Sequence, residues 1–416
     1  MITRVKGTQD FLDVTLFNFI IQHATQQAEL YQFKEIILPI LEYTDLFQRS
    51  LGTETDVVNK EMFYIKTREE DESICLRPEA TASIARAFIE NGVDQLPWRV
   101  FTCGPMFRYE RPQKGRYRQF NQISFEIIGA QSILHDVELI AMLDRLFTER
   151  IGINSHALLI NFLGCAEDRA KYKELLYNYL KKNHFEELCP QCKERLEKNV
   201  MRVFDCKNAQ CQLLFRKAPK ITDHLCQPCA AEWEQVKEQL DFLSISYSHQ
   251  DTLVRGLDYY SKTVFEFTSS HLGAQNAFCA GGRYDHLVAM LGGKTDQPAV
   301  GAALGIERLM LILEQIKDTL TMPQQKAIQV IIPVAKEQQP LALLIADELR
   351  ANDMGVEVLL EGSIKSMMRK ANKLGAAHAL LIGEQEQQDK IITIKNMITG
   401  TEEKVAQANL VTHLKK

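Results

Sequence analysis

Gly104-Pro-Met-Phe-Arg-Tyr-Glu-Arg-Pro-Gln-Lys-Gly-Arg-Tyr-Arg-Gln-Phe-Asn-Gln122 lies between two strand-like runs and carries arginines on a strand, a loop and a second strand. Over residues 101–118, Arg108, Arg111, Lys114, Arg116 and Arg118 stand against Glu110; five positives less one negative give +4, the densest positive charge in the first half of the chain. Arginines spaced this way can converge on a polyphosphate, because guanidinium forks pair bidentately with phosphate oxygens. Phe120 offers a flat face on which a purine could stack. The charge pattern alone equally describes a solvated basic hairpin, so the surrounding sequence has to decide.

Outward from this stretch, Arg99–Phe101 and Gln122–Ile128 read as its flanking strands. Ser73–Leu76, Thr263–Phe267 and Glu35–Leu38 read as further strands, the last stopped by Pro39. Leu12–Tyr31, where Leu16, Ile20, Ala24 and Ala28 recur every four residues, predicts a helix, as do Ala80–Glu90 and Asp136–Arg150. Strands separated by helices in this order predict an α+β domain on a mostly antiparallel sheet. From about 165 to 240 the sequence turns charged, helix-prone and cysteine-rich, which reads as a helical insertion, and the sheet resumes near Val254. A helix over Gly305–Leu320 ends before Pro323, and Met322–Lys326 has a linker's composition. Beyond it, strands at Gln329–Val334, Gly355–Leu360, His378–Gly383 and Lys390–Lys395 alternate with helices at Lys336–Asn352 and Ser363–Lys373, a separate small α/β domain. The expected boundaries are thus 1–322 and 323–416.

Composition bounds the function. At 416 residues the chain can bury ample core, and 45% apolar with 25% charged residues excludes the disordered and collagenous classes. No run approaches the ~18 apolar residues of a membrane helix, and Met1–Lys6 is not followed by a secretory core. The expected compartment is the cytoplasm. A net charge of −5 means that any nucleic-acid contact must be a local patch.

Four more runs carry chemistry. In Val300-Gly-Ala-Ala-Leu-Gly-Ile-Glu-Arg-Leu309, Gly301 and Gly305 permit close strand–helix packing, and Arg308 sits near a helix start. Taken singly it is also what a plain packing helix looks like. Leu76-Arg-Pro-Glu-Ala-Thr81 supplies acceptors, and with Gln122 its Glu79 and Thr81 could surround an ammonium group. Leu253-Val-Arg-Gly-Leu-Asp-Tyr-Tyr260 and Cys279-Ala-Gly-Gly-Arg-Tyr-Asp285 complete the set; the second is in isolation a bulge or tight turn.

In this order the runs resemble the signatures of class II aminoacyl-tRNA synthetases. Phe-Arg-Tyr-Glu-Arg-Pro with Gly-Arg-Tyr-Arg-Gln-Phe is similar to motif 2 of the histidyl-tRNA synthetases, Val300–Leu309 to motif 3, and the N-terminal helix with Lys34-Glu-Ile-Ile-Leu-Pro39 to motif 1. The resemblance implies that the chain activates L-histidine with ATP and Mg2+ and loads it onto tRNA(His), as a homodimer joined through motif 1. Arg108 would hold the α-phosphate and substrate carboxylate, Glu110 the adenine end, Arg116 and Arg308 the outer phosphates, and Phe120 would stack on adenine. Glu79, Thr81 and Gln122 would bind the α-ammonium, Arg255 the carboxylate and α-phosphate during the chemical step, and Glu126, Tyr259 and Tyr260 the histidine side chain. Gly281 and Gly282 would leave room for the imidazole. Ala80 departs from the family's commoner Gly. The C-terminal domain resembles the family's anticodon-binding domain, with Gly383-Glu-Gln-Glu386 as its most recognisable piece. The alternative within the same scaffold is the inactive, synthetase-like regulatory subunit of ATP phosphoribosyltransferase, which would be expected to lack the ATP-binding arginines and this last domain.

Six of the ten cysteines fall within residues 189–229: Cys189-Pro-Gln-Cys192, Cys206, Cys211 and Cys226-Gln-Pro-Cys229. Two Cys-x-x-Cys pairs are the spacing tetrahedral zinc favours. Cys189, Cys192, Cys226 and Cys229 are the expected ligands of a structural Zn2+, with Cys206 and Cys211 replacing one pair or remaining free; unmetallated thiols are the other reading. Cys75, Cys103, Cys165 and Cys279 stand apart and read as core residues.

Overall fold

The structure, a computed structural model, describes every residue except 1, 53, 54, 56, 69–71, 274, 275, 321, 323–326 and 416. Residues 323–326 of the expected linker therefore lie outside the described residues. The chain divides into two compact units, Met1–Thr321 and Met322–Lys416.

The first unit is built on an eight-stranded sheet in the spatial order Lys34–Glu35, Trp98–Phe107, Gln119–Ile128, Ala299–Gly305, Ala277–Arg283, Ser261–Ser269, His156–Phe162, Ser248–His249. Only the two edge pairings are parallel; the six inner strands run antiparallel. The basic stretch is thus the turn region between two ten-residue strands, longer than the sequence pattern suggested. Strand His156–Phe162, which the sequence reading passed over, pairs directly with Ser261–Ser269. The helical insertion is accordingly an excursion between two neighbouring strands. Its helices Ala166–Asn183, Pro190–Lys198, Ala209–Phe215 and Gln227–Phe242 bury Tyr172, Leu176, Leu196, Leu214 and Trp233.

Alternation decides which side of each strand meets the core. On Gln119–Ile128, Ile123, Phe125 and Ile127 are fully buried, and Phe125 stands against Phe33 and Phe101. The N-terminal helix, Thr15–Leu30, buries Phe19, Ile20, Ala24 and Ala28, the stripe expected from its four-residue spacing except at its first turn.

The second unit has a five-stranded sheet ordered Gly355–Val358, Ile328–Pro333, His378–Ile382, Ile391–Asn396, Glu402–Ala406, parallel in its first three strands and antiparallel in the rest. Ile331 packs with Ile345 and Leu349 of helix Gln339–Ala351, whereas Val330 and Ile332 pack with Met367 and Ala371 of helix Ile364–Lys373. Both faces are covered by helices, the first also by Leu410 of helix Leu410–Leu414, as the period-2 pattern requires. Glu386 of Gly383-Glu-Gln-Glu386 accepts from the Gly383 N–H at 3.1 Å and from the Thr393 hydroxyl at 2.9 Å, so this run is a helix cap tied to the sheet.

Candidate active site

On the side of Gln119–Ile128 opposite the core, alternation places Phe120, Gln122, Ser124 and Glu126 in a row. Gln122 stands opposite Gly104 on one neighbour and Gly305 on the other; Glu126 stands opposite Val100 and Gly301. A Cβ at Gly301 would come within 1.5 Å of a Glu126 carboxylate oxygen, so the absence of a side chain there is what admits the carboxylate. Gly301 therefore serves strand-to-strand packing, not the strand–helix packing expected of it. The Gly281–Gly282 pair also differs from expectation. The space at Gly281 is taken by Phe265 and the backbone of the next strand, and that at Gly282 by the Tyr260 ring, at 2.6 and 2.9 Å from the would-be Cβ atoms. These glycines seat the chain's own aromatic rings.

Glu79 ends the turn before helix Thr81–Glu90. Its two oxygens accept the N–H groups of Thr81 and Ala82 at 2.8 and 2.7 Å, among the donors a helix N-terminus leaves open. Thr81 turns its hydroxyl to Glu126 at 2.6 Å, and the Tyr284 hydroxyl donates to the other Glu126 oxygen. Burial pushes the Glu126 carboxyl up to about 8; the hydroxyls of Thr81 and Tyr284 pull it down and the charge on Glu79 pushes it further up. Burial also raises Glu79, against the pull of the Ala82 and Thr81 N–H groups.

These residues border a cleft of about 250 Å³ that opens to solvent. Every side chain expected at the site lines it except Glu126, which is buried behind its wall. Arg108 donates to the Pro78 carbonyl at 2.9 Å and lies 5.5 Å from the centroid of Phe120. Arg116 pairs with Glu110 at 2.8 Å. Arg255 pairs with Glu266, and this charge, with Tyr260 and Tyr259 nearby, holds its pKa above the usual value although burial opposes it. Arg308, in the first turn of helix Ile306–Gln315, donates to the Ala277 carbonyl; burial, with the positive charge of Arg116, pulls its pKa down to about 10, still cationic near neutrality. Two buried polar atoms of these residues have no partner within the protein: Gln122 Oε1 and Arg255 Nε. A buried acceptor and a buried donor left open beside a cleft suit a zwitterionic ligand.

Three contributors escaped the sequence reading. Tyr284 was legible only as part of Gly-Gly-Arg-Tyr. Glu266 has a local signal, the one charge in Thr263-Val-Phe-Glu-Phe267. Glu307 accepts the Asn121 N–H at 2.9 Å and its side-chain amide at 2.8 Å, which locks the alternation phase of Phe120 and Gln122; no sequence pattern announces that contact.

The cysteine expectation is corrected in detail. The two Cys-x-x-Cys pairs do not meet. Cys189 and Cys192 cluster with Cys206 and Cys211, while Cys226 and Cys229 cluster with Cys165 and Asp168, the ligand atoms of each group lying within 4.8 Å of one another. Cys165 is thus not a stray core thiol. Cys189 and Cys206 sulfurs are 3.7 Å apart, close to the edge of about 3.8 Å that a tetrahedron with Zn–S of ~2.3 Å requires. The Cys189 and Asn208 N–H groups point at the sulfurs of Cys211 and Cys206, as they do around thiolates.

Comparison with known proteins places this geometry. The family description "Histidyl-tRNA synthetase" matches residues 17–309 and "Anticodon binding domain" matches 329–416. A histidine–tRNA ligase of Halothermothrix orenii is 42% identical over 99% of this chain and 98% of its own length; one of Aquifex aeolicus is 43% identical over 98% and 100%. The crystal structure of apo histidyl-tRNA synthetase from S. aureus superposes with a TM-score of 0.83 at 35% identity, covering all of both chains. The chain belongs to the histidyl-tRNA synthetase family.

Proposed function

We propose that the cleft joins L-histidine to ATP as histidyl-adenylate and passes the histidyl group to the 3′ end of tRNA(His). The observation that carries this reading is convergence: residues 79–81, 108–122, 255–260, 277–280 and 302–308, distant in sequence, line one cleft. The open Gln122 Oε1, with Glu79, receives the α-ammonium. Arg255 and Arg108 take the carboxylate and the α-phosphate. Phe120 and Glu110 hold adenine, while Arg116 and Arg308 hold the outer phosphates. Tyr259 and Tyr260 flank the imidazole, and Glu126 sets the polarity of that end from behind Thr81.

The carboxylate oxygen attacks the α-phosphorus in line, the bond to the β-phosphate oxygen breaks, and pyrophosphate carries away the electron pair. Arg255 and Arg108 bear the charge that grows at the α-phosphoryl oxygens. A terminal ribose hydroxyl of the tRNA then attacks the adenylate carbonyl and AMP leaves. Of the carboxylates lining the same cleft, Glu266 and Glu307 would help hold a Mg2+ bound mainly through the ATP phosphates, and the ion would supply positive charge to neutralise the pyrophosphate.

Arg108, Arg116 and Arg308 all stand in the cleft, and an inactive regulatory chain would have no use for them. A structural zinc fits Cys189, Cys192, Cys206 and Cys211, where four thiolates leave no open position for chemistry. A homodimer through motif 1 is supported by Ile37, 94% exposed two residues beyond the sheet edge Lys34–Glu35. The 329–416 unit would read the anticodon. The deciding experiment is exchange of labelled pyrophosphate into ATP with each of the twenty amino acids and no tRNA. Exchange with histidine alone is expected; none in a folded sample would overturn the reading.

A further inference from the structure

The second cysteine cluster is built on a repeated local device. Cys165 precedes helix Ala166–Asn183, whose third residue is Asp168; Cys226 precedes helix Gln227–Phe242, whose third residue is Cys229. The same spacing puts Cys189 and Cys192 at the start of Pro190–Lys198. Residues at the cap and third positions of a helix face each other, so each helix start offers two ligand atoms, and two helix starts brought together offer four. Here the first and last helices of the insertion meet at their N-termini. Two positive dipole ends in contact repel unless anionic ligands lie between them. Three thiolates and a carboxylate supply that charge, and a divalent ion keeps them together.

The fit of the fourth ligand is specific. The Asp168 carboxylate is buried and accepts the Cys226 N–H at 2.9 Å and the Cys165 N–H at 3.3 Å, so it joins both helix starts while a lone pair on each oxygen remains. The Cys229 sulfur lies within 4.8 Å of both an Asp168 oxygen and the Cys226 sulfur. Gly164, at φ +67°, lets the backbone lie on the carboxylate: a Cβ there would be 2.7 Å from Asp168. Carboxylate oxygens bind zinc at about the same distance as imidazole nitrogen, so a Cys3Asp set is chemically sound.

We propose that Cys165, Asp168, Cys226 and Cys229 form a second structural zinc site, distinct from the four-cysteine site, which staples the start and end of the insertion to the catalytic sheet. The staple sits against the histidine side of the cleft. Arg169, next to Asp168, donates to the Tyr260 carbonyl, and the Lys262 backbone bonds Leu163 and Gly164 at 2.7 and 3.1 Å. Lys262 also reaches Glu232 on the last helix at 2.8 Å. Loss of this metal therefore loosens the segment that carries Tyr260, a consequence that rests on the proposed role of Tyr260, whereas the metal site itself does not.

The test is zinc content of the full-length chain, expressed with added zinc, by native mass spectrometry. Two zinc ions per chain are expected in the wild type, and one in each of Cys189→Ser and Cys226→Ser. One ion that persists in Cys226→Ser and disappears from Cys189→Ser would overturn the second site, as would a wild type without zinc; a wild-type count of two upholds it even if a variant fails to fold. Asp168→Asn keeps a hydrogen-bond acceptor but is a poor ligand. It is expected to release one zinc to EDTA roughly tenfold faster, and wild-type release would remove Asp168 from the ligand set. In Cys226→Ser the KM for histidine is expected to rise with the KM for ATP unchanged.

Discussion

Thr81 serves two buried carboxylates at once: its backbone N–H goes to Glu79 at 2.8 Å and its hydroxyl to Glu126 at 2.6 Å. One residue thereby couples the group assigned to the substrate ammonium with the group assigned to its side chain. Two buried carboxylates so linked cannot both ionise cheaply, and Glu126, whose neighbours are hydroxyls rather than N–H groups, is the one that keeps its proton.

Glu126→Gln tests this directly. The folded-state pKa of about 8 lies above the ordinary 4.5, so below the ordinary value both states are protonated and the group costs nothing. As pH rises toward 8 the unfolded chain ionises and the folded chain does not, and stability falls. The variant is expected to melt at about the wild-type temperature at pH 4.5 and progressively above it by pH 8, the difference bounded by about 5 kcal/mol at ~1.4 kcal/mol per pH unit. A constant difference across that window, read by thermal melts, would deny the proton to Glu126. The same variant is expected to discriminate histidine less well in pyrophosphate exchange.

Gly301→Ala should strike the same carboxylate by another route. The added methyl overlaps a Glu126 oxygen, forcing Glu126 to move while Arg108, Arg116 and Phe120 stay in place. The expected result is a rise in the KM for histidine of about tenfold or more with ATP binding retained. Equal losses in both would mean that the strand, not the carboxylate, had shifted.

Arg255→Ala removes a guanidinium whose Nε has no partner in the protein. Adenylate formation is expected to fall by about 10²–10³, with histidine affinity much less affected, as measured by single-turnover kinetics beside equilibrium binding. Equal loss in both would contradict a transition-state role.

Asp136→Ala addresses the frame of the site. Arg283, fully buried, donates to both Asp136 oxygens at 2.6–3.1 Å and to the Ala130 and Ser132 carbonyls. Removing the carboxylate leaves the buried charge only the longer ion pair to Asp285 at 3.4 Å, a loss of up to about 3–5 kcal/mol, to be read from denaturant melts. Asp136→Asn should recover part of it.

What the sequence alone determined is the inventory and the scaffold. Alternation in Gln122–Ile128, the arginines of 108–118 and the order of the runs were enough for the antiparallel sheet and for residues that line the cleft, because strand period and residue chemistry are local properties. Tertiary structure decided which distant groups meet. The spacing of Cys189/Cys192 and Cys226/Cys229 is the same, so sequence gave them the same standing; only the packing of four helix starts sends one pair to Cys206 and Cys211 and the other to Cys165 and Asp168. Likewise Gly301 and Glu126 are 175 positions apart and become cross-strand neighbours through the register of two strands. A register or a helix-to-helix contact is a property of the whole fold, and no window of sequence contains it.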